Sequence, residues 1–276
     1  MCKFFSELKR REVIRVAIAY LLVAGVLVAI WTPHIAVAQQ PPTVLVTGSS
    51  RGMGLELTKQ YAAKGWKVIA TCRTPITADA LNVLAEEYSR IAIEELDVTD
   101  HAEIEALAKR YADVPIDVLI NNAGIFGPVA MQTLEELDYD TFVDVMAVNV
   151  YGPLKMSQSF ADNVVASEQK KIVTITSGLG SMALTDKNGG YYFYRISKAG
   201  ANIVGRALAA DLRERGVLIG LFNPGIVETE FGRDTGYAGL RLKPDVAVGA
   251  LIGLIDELDA ENAATMFNYD GTRMPW

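Results

Sequence analysis

From Thr43 onward the chain alternates two kinds of apolar pattern. Short runs rich in β-branched residues occur at Val44–Val46, Val68–Ala70, Ile91–Leu96, Val118–Ile120, Ile172–Ile175 and Val217–Phe222. Such runs read as strands covered on both faces. Longer stretches of helical pattern separate them, among them Leu55–Lys64, His101–Ala112, Thr141–Ala166 and Tyr194–Arg215. A helix over Asp245–Leu258 and a last strand over Thr265–Tyr269 complete the series. Alternating βα units predict an α/β fold with a doubly wound parallel sheet, and ligands at the carboxyl ends of its strands. One domain, residues 43–276, accounts for the whole pattern.

The segment before it follows a different rule. Lys3, Lys9, Arg10, Arg11 and Arg15 precede an uncharged run from Val16 to Trp31, and Ala36-Val37-Ala38 stands before Gln39. A basic start, an apolar run and an A-x-A site fit a secretory signal, and an uncleaved membrane anchor through residues 16–31 fits nearly as well. A buried helix fits poorly, because the run is apolar all round. Residues 1–42 are therefore expected to be a signal peptide or anchor that ends in a Pro41-Pro42 hinge. The protein is expected at the membrane or exported; basic residues ahead of the run place the domain across the membrane. Cofactor supply argues for the cytoplasm, so the side stays open with a lean towards export.

Composition narrows the class. The 276 residues are 50% hydrophobic and 21% charged, which suits a well-cored globular domain. A net charge of −7 argues against nucleic acid as a partner, since phosphates are bound by clustered Lys and Arg. Cys2 and Cys72 give no metal spacing and no disulfide framework. His34 and His101, the two histidines, have no nucleophile motif beside them, which disfavours a Ser-His-Asp hydrolase. Assembly into a homo-oligomer is compatible with all of this.

Two motifs carry the chemistry. Thr47-Gly48-Ser49-Ser50-Arg51-Gly52-Met53-Gly54 joins the first strand to the first helix. Glycines there permit a tight turn, let the backbone approach a pyrophosphate and allow close helix–strand packing, while the helix N-terminus favours the anion. This is the dinucleotide-binding arrangement of a Rossmann fold. At the end of the second strand, Thr71-Cys72-Arg73-Thr74 has no acid for a ribose 2′-hydroxyl; Arg73, with Arg51 as a second cation, favours NADP(H) over NAD(H). Asp97-Val98 could hold the adenine amino group, and Asn121-Asn122-Ala123-Gly124 sits at the mouth of the sheet. Alone, both would read as turn chemistry.

The second motif is Tyr194-Arg195-Ile196-Ser197-Lys198. Residues four apart on a helix share a face, about 5–6 Å apart at Cβ. A fixed ammonium is expected to lower the phenol's pKa, so that Tyr194 can exchange a proton with a carbonyl or alcohol oxygen. Tyr151 and Lys155 repeat the spacing, but Gly152-Pro153 between them makes a regular helical turn doubtful. Ser177 ends the fifth strand, where its hydroxyl could bond a substrate oxygen. Asn149 is either a structural linker or part of a proton relay.

In this order, Thr47–Gly54, Asn121–Gly124, Asn149, Ser177, Tyr194/Lys198 and Asn223-Pro224-Gly225 resemble the classical short-chain dehydrogenases/reductases over about residues 43–276. Residues 177–181, 189–195 and 268–271 look like the C-factor and sniffer-type carbonyl reductases within that family. The resemblance implies a catalytic tetrad of Asn149, Ser177, Tyr194 and Lys198, with Lys198 also holding the nicotinamide ribose. It implies cofactor contacts from Gly48, Ser50, Arg51, Gly52, Met53, Gly54, Arg73, Asp97, Val98, Asn121, Ala123, Gly124, Pro224, Gly225, Val227 and Thr229. The family's Asn-x-Ser-Ser reads Thr174-Ile175-Thr176-Ser177 here, which leaves Ser181 as a fallback.

The expected activity is hydride transfer between nicotinamide and a carbonyl or secondary alcohol of small-molecule size. The alternatives are a scaffold or signalling protein that keeps the fold without turnover, and an NAD-linked dehydrogenase. Loops around 126–133, 178–192 and 228–243 would set specificity, with Phe126, Tyr191, Tyr192, Phe231 and Tyr237 as pocket wall or core.

Overall fold

The computed structural model describes residues 40–185, 189–234 and 239–276, with residues 7, 9, 10, 12, 15, 16 and 19 before them. Pro41–Trp276 is one compact unit and Met1–Gln40 another. The expected signal or anchor run, apart from positions 16 and 19, lies outside the described residues, as does Tyr237. Among the described residues, no helix is long and apolar enough to cross a membrane.

The elements run β1 (Thr43–Thr47), α1 (Gly52–Ala63), β2 (Lys67–Cys72), α2 (Asp79–Glu87), β3 (Ile91–Glu95), α3 (His101–Arg110) and β4 (Val118–Asn121). Then follow α4 (Tyr139–Met146), α5 (Gly152–Val165), β5 (Lys171–Ile175), α6 (Tyr192–Leu212), β6 (Leu218–Asn223), α7 (Glu230–Asp234), α8 (Pro244–Asp256) and β7 (Met266–Asn268). All seven strands pair in parallel in the order β3-β2-β1-β4-β5-β6-β7. The order reverses between β1 and β4, so a crevice opens beyond their carboxyl ends, where an open α/β sheet binds its ligand.

Side-chain alternation along the strands builds two cores. Val44 and Val46 join Val68, Ala70, Val118 and Ile120 against Leu57 and Leu251. Leu45, between them, points the other way and packs with Ile69, Leu119, Ile172 and Phe160. Helices cover both faces, which is why the strands carry no polar alternation.

The helix expected over Thr141–Ala166 is in three parts. Asp138 caps α4, its carboxylate accepting from Thr141 N at 3.0 Å. A π-helical turn over Ala147–Tyr151 follows, in which Gly152 N donates to Ala147 O, and α5 continues from it. The backbone is right-handed helical at Tyr151 and Gly152, so helix continues through the Gly152-Pro153 stretch where a regular turn was doubtful. Pro153 sits in the first turn of α5, where a missing N–H costs little. The π turn carries Asn149, which is 1% exposed.

Candidate active site

The glycine loop takes its shape from backbone that only glycine adopts easily. Gly48 and Gly52 have φ of +71° and +56°. A Cβ on Gly54 would stand 2.0 Å from Gly48 O and 2.6 Å from Asn122 Nδ2, so the loop folds directly onto the start of α1. Thr47 Oγ1 accepts from Asn122 N and Ala123 N, both at 3.0 Å, while Asn122 Nδ2 donates to Thr47 O at 2.8 Å. These bonds stitch the ends of β1 and β4 together. No side chain caps α1 and no acid occupies its first turn, so its free N–H groups and dipole face the cleft mouth. A close backbone cradle at an uncapped helix start fits a pyrophosphate.

Gly48, Ser50, Arg51, Gly52, Met53, Gly54, Arg73, Asp97, Val98, Ala123, Gly124, Pro224, Gly225, Val227 and Thr229 all line one cleft of about 1510 Å³. Asn121 does not. Its amide is buried and donates to Ser157 Oγ at 3.2 Å, and the cleft is lined instead by Asn122, which stood in the motif but not among the expected contacts. Arg51 pairs with Glu230 at 2.9 Å, both side chains largely exposed. Arg73 is exposed at the end of β2 and makes no salt bridge among the described residues. The Asp97 carboxylate accepts from Thr99 N and Thr99 Oγ1 at 2.8 and 2.7 Å, which fixes it in a turn at the cleft edge.

Ser177, Tyr194 and Lys198 converge on the same cleft. Tyr194 and Lys198 sit one turn apart on α6, 5% and 6% exposed, with Nζ 5.6 Å from the ring centre. The Ser177 hydroxyl lies where it favours ionisation of the Tyr194 phenol, and it accepts from Leu179 N at 3.2 Å. Lys198 Nζ donates to Ile175 O at 2.9 Å. Asn149 lies just behind the lining: a Cβ on Gly124 would be 3.3 Å from Asn149 Oδ1 and 3.8 Å from Lys198 Nζ. Its amide exchanges bonds with Ile125 N and O at 2.9 and 2.8 Å and donates to Ser197 Oγ at 3.0 Å. These bonds tie Asn149 to the Ile125 backbone and to Ser197 on α6.

The electrostatics differ from the sequence expectation. Burial raises the Tyr194 phenol well above its ordinary value, and the Ser177 hydroxyl offsets only part of this. Burial also pushes Lys198 down to about 8. Both shifts run towards the neutral forms because both groups leave water. The Tyr194 phenol therefore stays protonated at neutral pH.

The repeated Tyr-x-x-x-Lys spacing is excluded for a different reason from the expected one. Tyr151 is 52% exposed and the Lys155 ammonium pairs with Glu105; neither lines the cleft. Ser181 is buried outside the lining, with Oγ accepting from Leu184 N at 3.3 Å. Thr176, where the family pattern has serine, reaches the cleft wall, but its hydroxyl donates to Asn202 Oδ1 at 2.5 Å. Ser177 remains the serine at the phenol. Phe126, Tyr191 and Phe231 wall the cleft, whereas Tyr192 does not line it.

A dinucleotide cradle at the sheet's switch point, beside a buried Tyr–Lys pair and a partly buried serine, defines a nicotinamide-dependent oxidoreductase. The short chain dehydrogenase family model matches residues 42–237, and the chain belongs to that family. It is 33% identical to 1-hydroxy-2-glutathionyl-2-methyl-3-butene dehydrogenase of Rhodococcus sp. (strain AD45), over 85% of this chain and 99% of that protein. It is 34% identical to C-signal of Myxococcus xanthus, over 63% of this chain and all (100%) of that protein. Among solved structures it resembles the NADPH-bound carbonyl reductase from chicken fatty liver, with a TM-score of 0.78 and 30% identity, over 86% of this chain and 100% of that one. The protein is an NAD(P)-dependent oxidoreductase with carbonyl reductases among its structural relatives.

Proposed function

We propose that the protein is an NADP(H)-dependent carbonyl reductase, or alcohol dehydrogenase in the reverse direction, with Tyr194 as general acid/base. The observation that carries this is the convergence of Tyr194, Ser177 and Lys198 on the cleft that the glycine loop opens. When bound, the nicotinamide would supply hydride to a carbonyl carbon. Ser177 Oγ and the Tyr194 phenol hold the carbonyl oxygen between them, and the phenol proton passes to that oxygen as it gains charge. The Lys198 ammonium, fixed by Ile175 O, steadies the phenolate left behind and can bond the ribose. Asn149 anchors Ile125 to the π turn and would serve either as a structural linker or in a proton relay.

The preference for NADP(H) rests on Arg73 and on the absence of an acid at the end of β2, and an NADPH-bound relative is consistent with it. Gly48, Ser50, Gly52, Met53 and Gly54 would hold the pyrophosphate, Asp97 and Val98 the adenine, and Ala123, Gly124, Pro224, Gly225, Val227 and Thr229 the nicotinamide end. A small-molecule carbonyl or alcohol is the substrate. Incubating purified protein with NADPH and a panel of carbonyl compounds, and reading alcohol products by mass spectrometry, tests the proposal. Reduction of panel members, faster with NADPH than with NADH, is the expected result. No product with either cofactor would favour a nucleotide-binding scaffold. We also propose that residues 1–42 target the protein to a membrane or across it, on the pattern of five basic residues followed by an apolar run.

A further inference from the structure

Gln132 follows a short turn over Val129–Met131, in a loop remote in sequence from α6, and its side chain is wholly buried at 0% exposure. A buried amide needs partners on both its acceptor and its donor side. Its partners are specific. Oε1 accepts from Tyr194 N at 3.1 Å, and Nε2 donates to Phe126 O at 2.8 Å and more weakly to Pro128 O at 3.4 Å. The Phe126 ring lies flat on the Tyr194 ring, with centres 4.3 Å apart and planes at 25°. One amide thus grips the backbone of the proton donor and also the residue stacked on its ring.

The start of α6 shows why such a grip is required. The first N–H groups of a helix have no intrahelical acceptor. Tyr191, just before α6, has φ of +55° and offers no side-chain cap. Arg195 N finds Tyr191 O at 2.8 Å, but Tyr192 N and Tyr194 N both go to Gln132, through its backbone O at 3.4 Å and its side chain. Gln132 caps α6 from a distant loop, and what it caps is the turn that carries the phenol.

We propose that Gln132 is a positioning residue for Tyr194, holding the first turn of α6 and the Phe126–Tyr194 stack so that the phenol meets Ser177. This rests on the reading of Tyr194 as proton donor. Gln132→Met keeps the side-chain length and removes all three side-chain hydrogen bonds. Gln132→Glu keeps the shape. Its neutral carboxyl can accept from Tyr194 N and donate to Phe126 O, whereas its carboxylate faces the Phe126 carbonyl with like charge. Burial raises a carboxyl, so that exchange falls above the ordinary carboxylate range. The Tyr194 phenol stays protonated over that range because burial raises it too.

The test uses full-length protein with labelled tyrosine rings, read by NMR, and steady-state reduction of benzaldehyde by NADPH. The Tyr194 resonance is assigned by its loss in Tyr194→Phe, and its unstacked position by Phe126→Leu. Gln132→Met should move the Tyr194 resonance towards the unstacked position. It should also lower kcat by up to roughly 10²-fold, the scale of a misplaced reacting group, with NADPH affinity retained. Gln132→Glu should restore the resonance and kcat at acid pH and lose both as pH rises. A Gln132→Met protein with wild-type resonance and kcat would overturn the inference, as would a Gln132→Glu protein whose stack ignores pH. Should Gln132→Met not fold, Gln132→Glu carries the same comparison by pH alone. Full kcat in Tyr194→Phe would overturn the proton-donor reading and this inference with it. An inactive Tyr194→Phe beside a wild-type-like Gln132→Met would overturn this inference alone.

Discussion

Arg73 and Arg51 look interchangeable in the sequence and are not so in space. Arg51 already has Glu230 at 2.9 Å, while Arg73 stands exposed beside the cleft. A charge-assisted contact to a 2′-phosphate is worth about 1.5–3 kcal/mol, or roughly 10- to 150-fold in affinity. Arg73→Ala should therefore weaken NADPH by that factor and leave NADH almost unchanged, as titration of each cofactor would show. Lys198 supplies a second outcome at this scale. Its folded value, about 8, lies below the ordinary lysine value of 10.5, so its charge is present below pH 8 and lost as pH rises through it. The kcat/KM for carbonyl reduction should fall above that pH, while the phenol, shifted upward, adds no limb there. A profile flat across pH 8 would show that the ammonium is not needed. The glycines, Ser177, Tyr194 and Lys198 were legible because their spacing fixes their geometry once the strand–turn–helix frame is known. Asn121 was misplaced because adjacent asparagines at a strand end face opposite ways, and only register tells which one meets the cleft. Gln132 was not legible, since nothing local distinguishes a buried glutamine from a solvated one. The phenol's shift went the other way because sequence shows the neighbouring charge and hides the desolvation.

Among the elements, the strand–loop–helix unit β1–α1 is the most constrained. A methyl on Gly54 meets the Gly48 carbonyl, a backbone atom that cannot retreat without opening the loop. Gly54→Ala should cost about 1–3 kcal/mol of stability, as overpacking does, and should weaken either cofactor. Thermal unfolding and NADPH titration on one preparation would check both. The cap on α4 offers a milder case: Asp138→Ala should lower stability by about 1 kcal/mol with little effect on cofactor binding. All seven strands were readable to within a residue or two, and the five internal ones gave the plainest signal because they are buried on both faces. The division of 141–166 was not, since an apolar helical period looks the same whether one turn inside it is α or π. That turn holds Asn149, so the unreadable detail falls at the site.

For the whole molecule, the doubly wound sheet was legible from the alternation of strands and helices, and its order then places the cleft between β1 and β4. The run at 16–31 belongs to a separate unit, and its proposed role is tested apart from the chemistry. Reporters active only in the cytoplasm or only in the periplasm, fused after Trp276, should show membrane-associated or exported protein. A freely soluble full-length cytoplasmic product would contradict that proposal and leave the catalytic one untouched. The catalytic account turns on one comparison, turnover of a carbonyl substrate with NADPH by wild type, Tyr194→Phe and Tyr151→Phe. Loss of the Tyr194 hydroxyl should lower kcat by ~10²–10⁴-fold with NADPH affinity retained, and Tyr151→Phe should stay near wild type. Wild-type turnover in Tyr194→Phe, with loss in Tyr151→Phe, would contradict it.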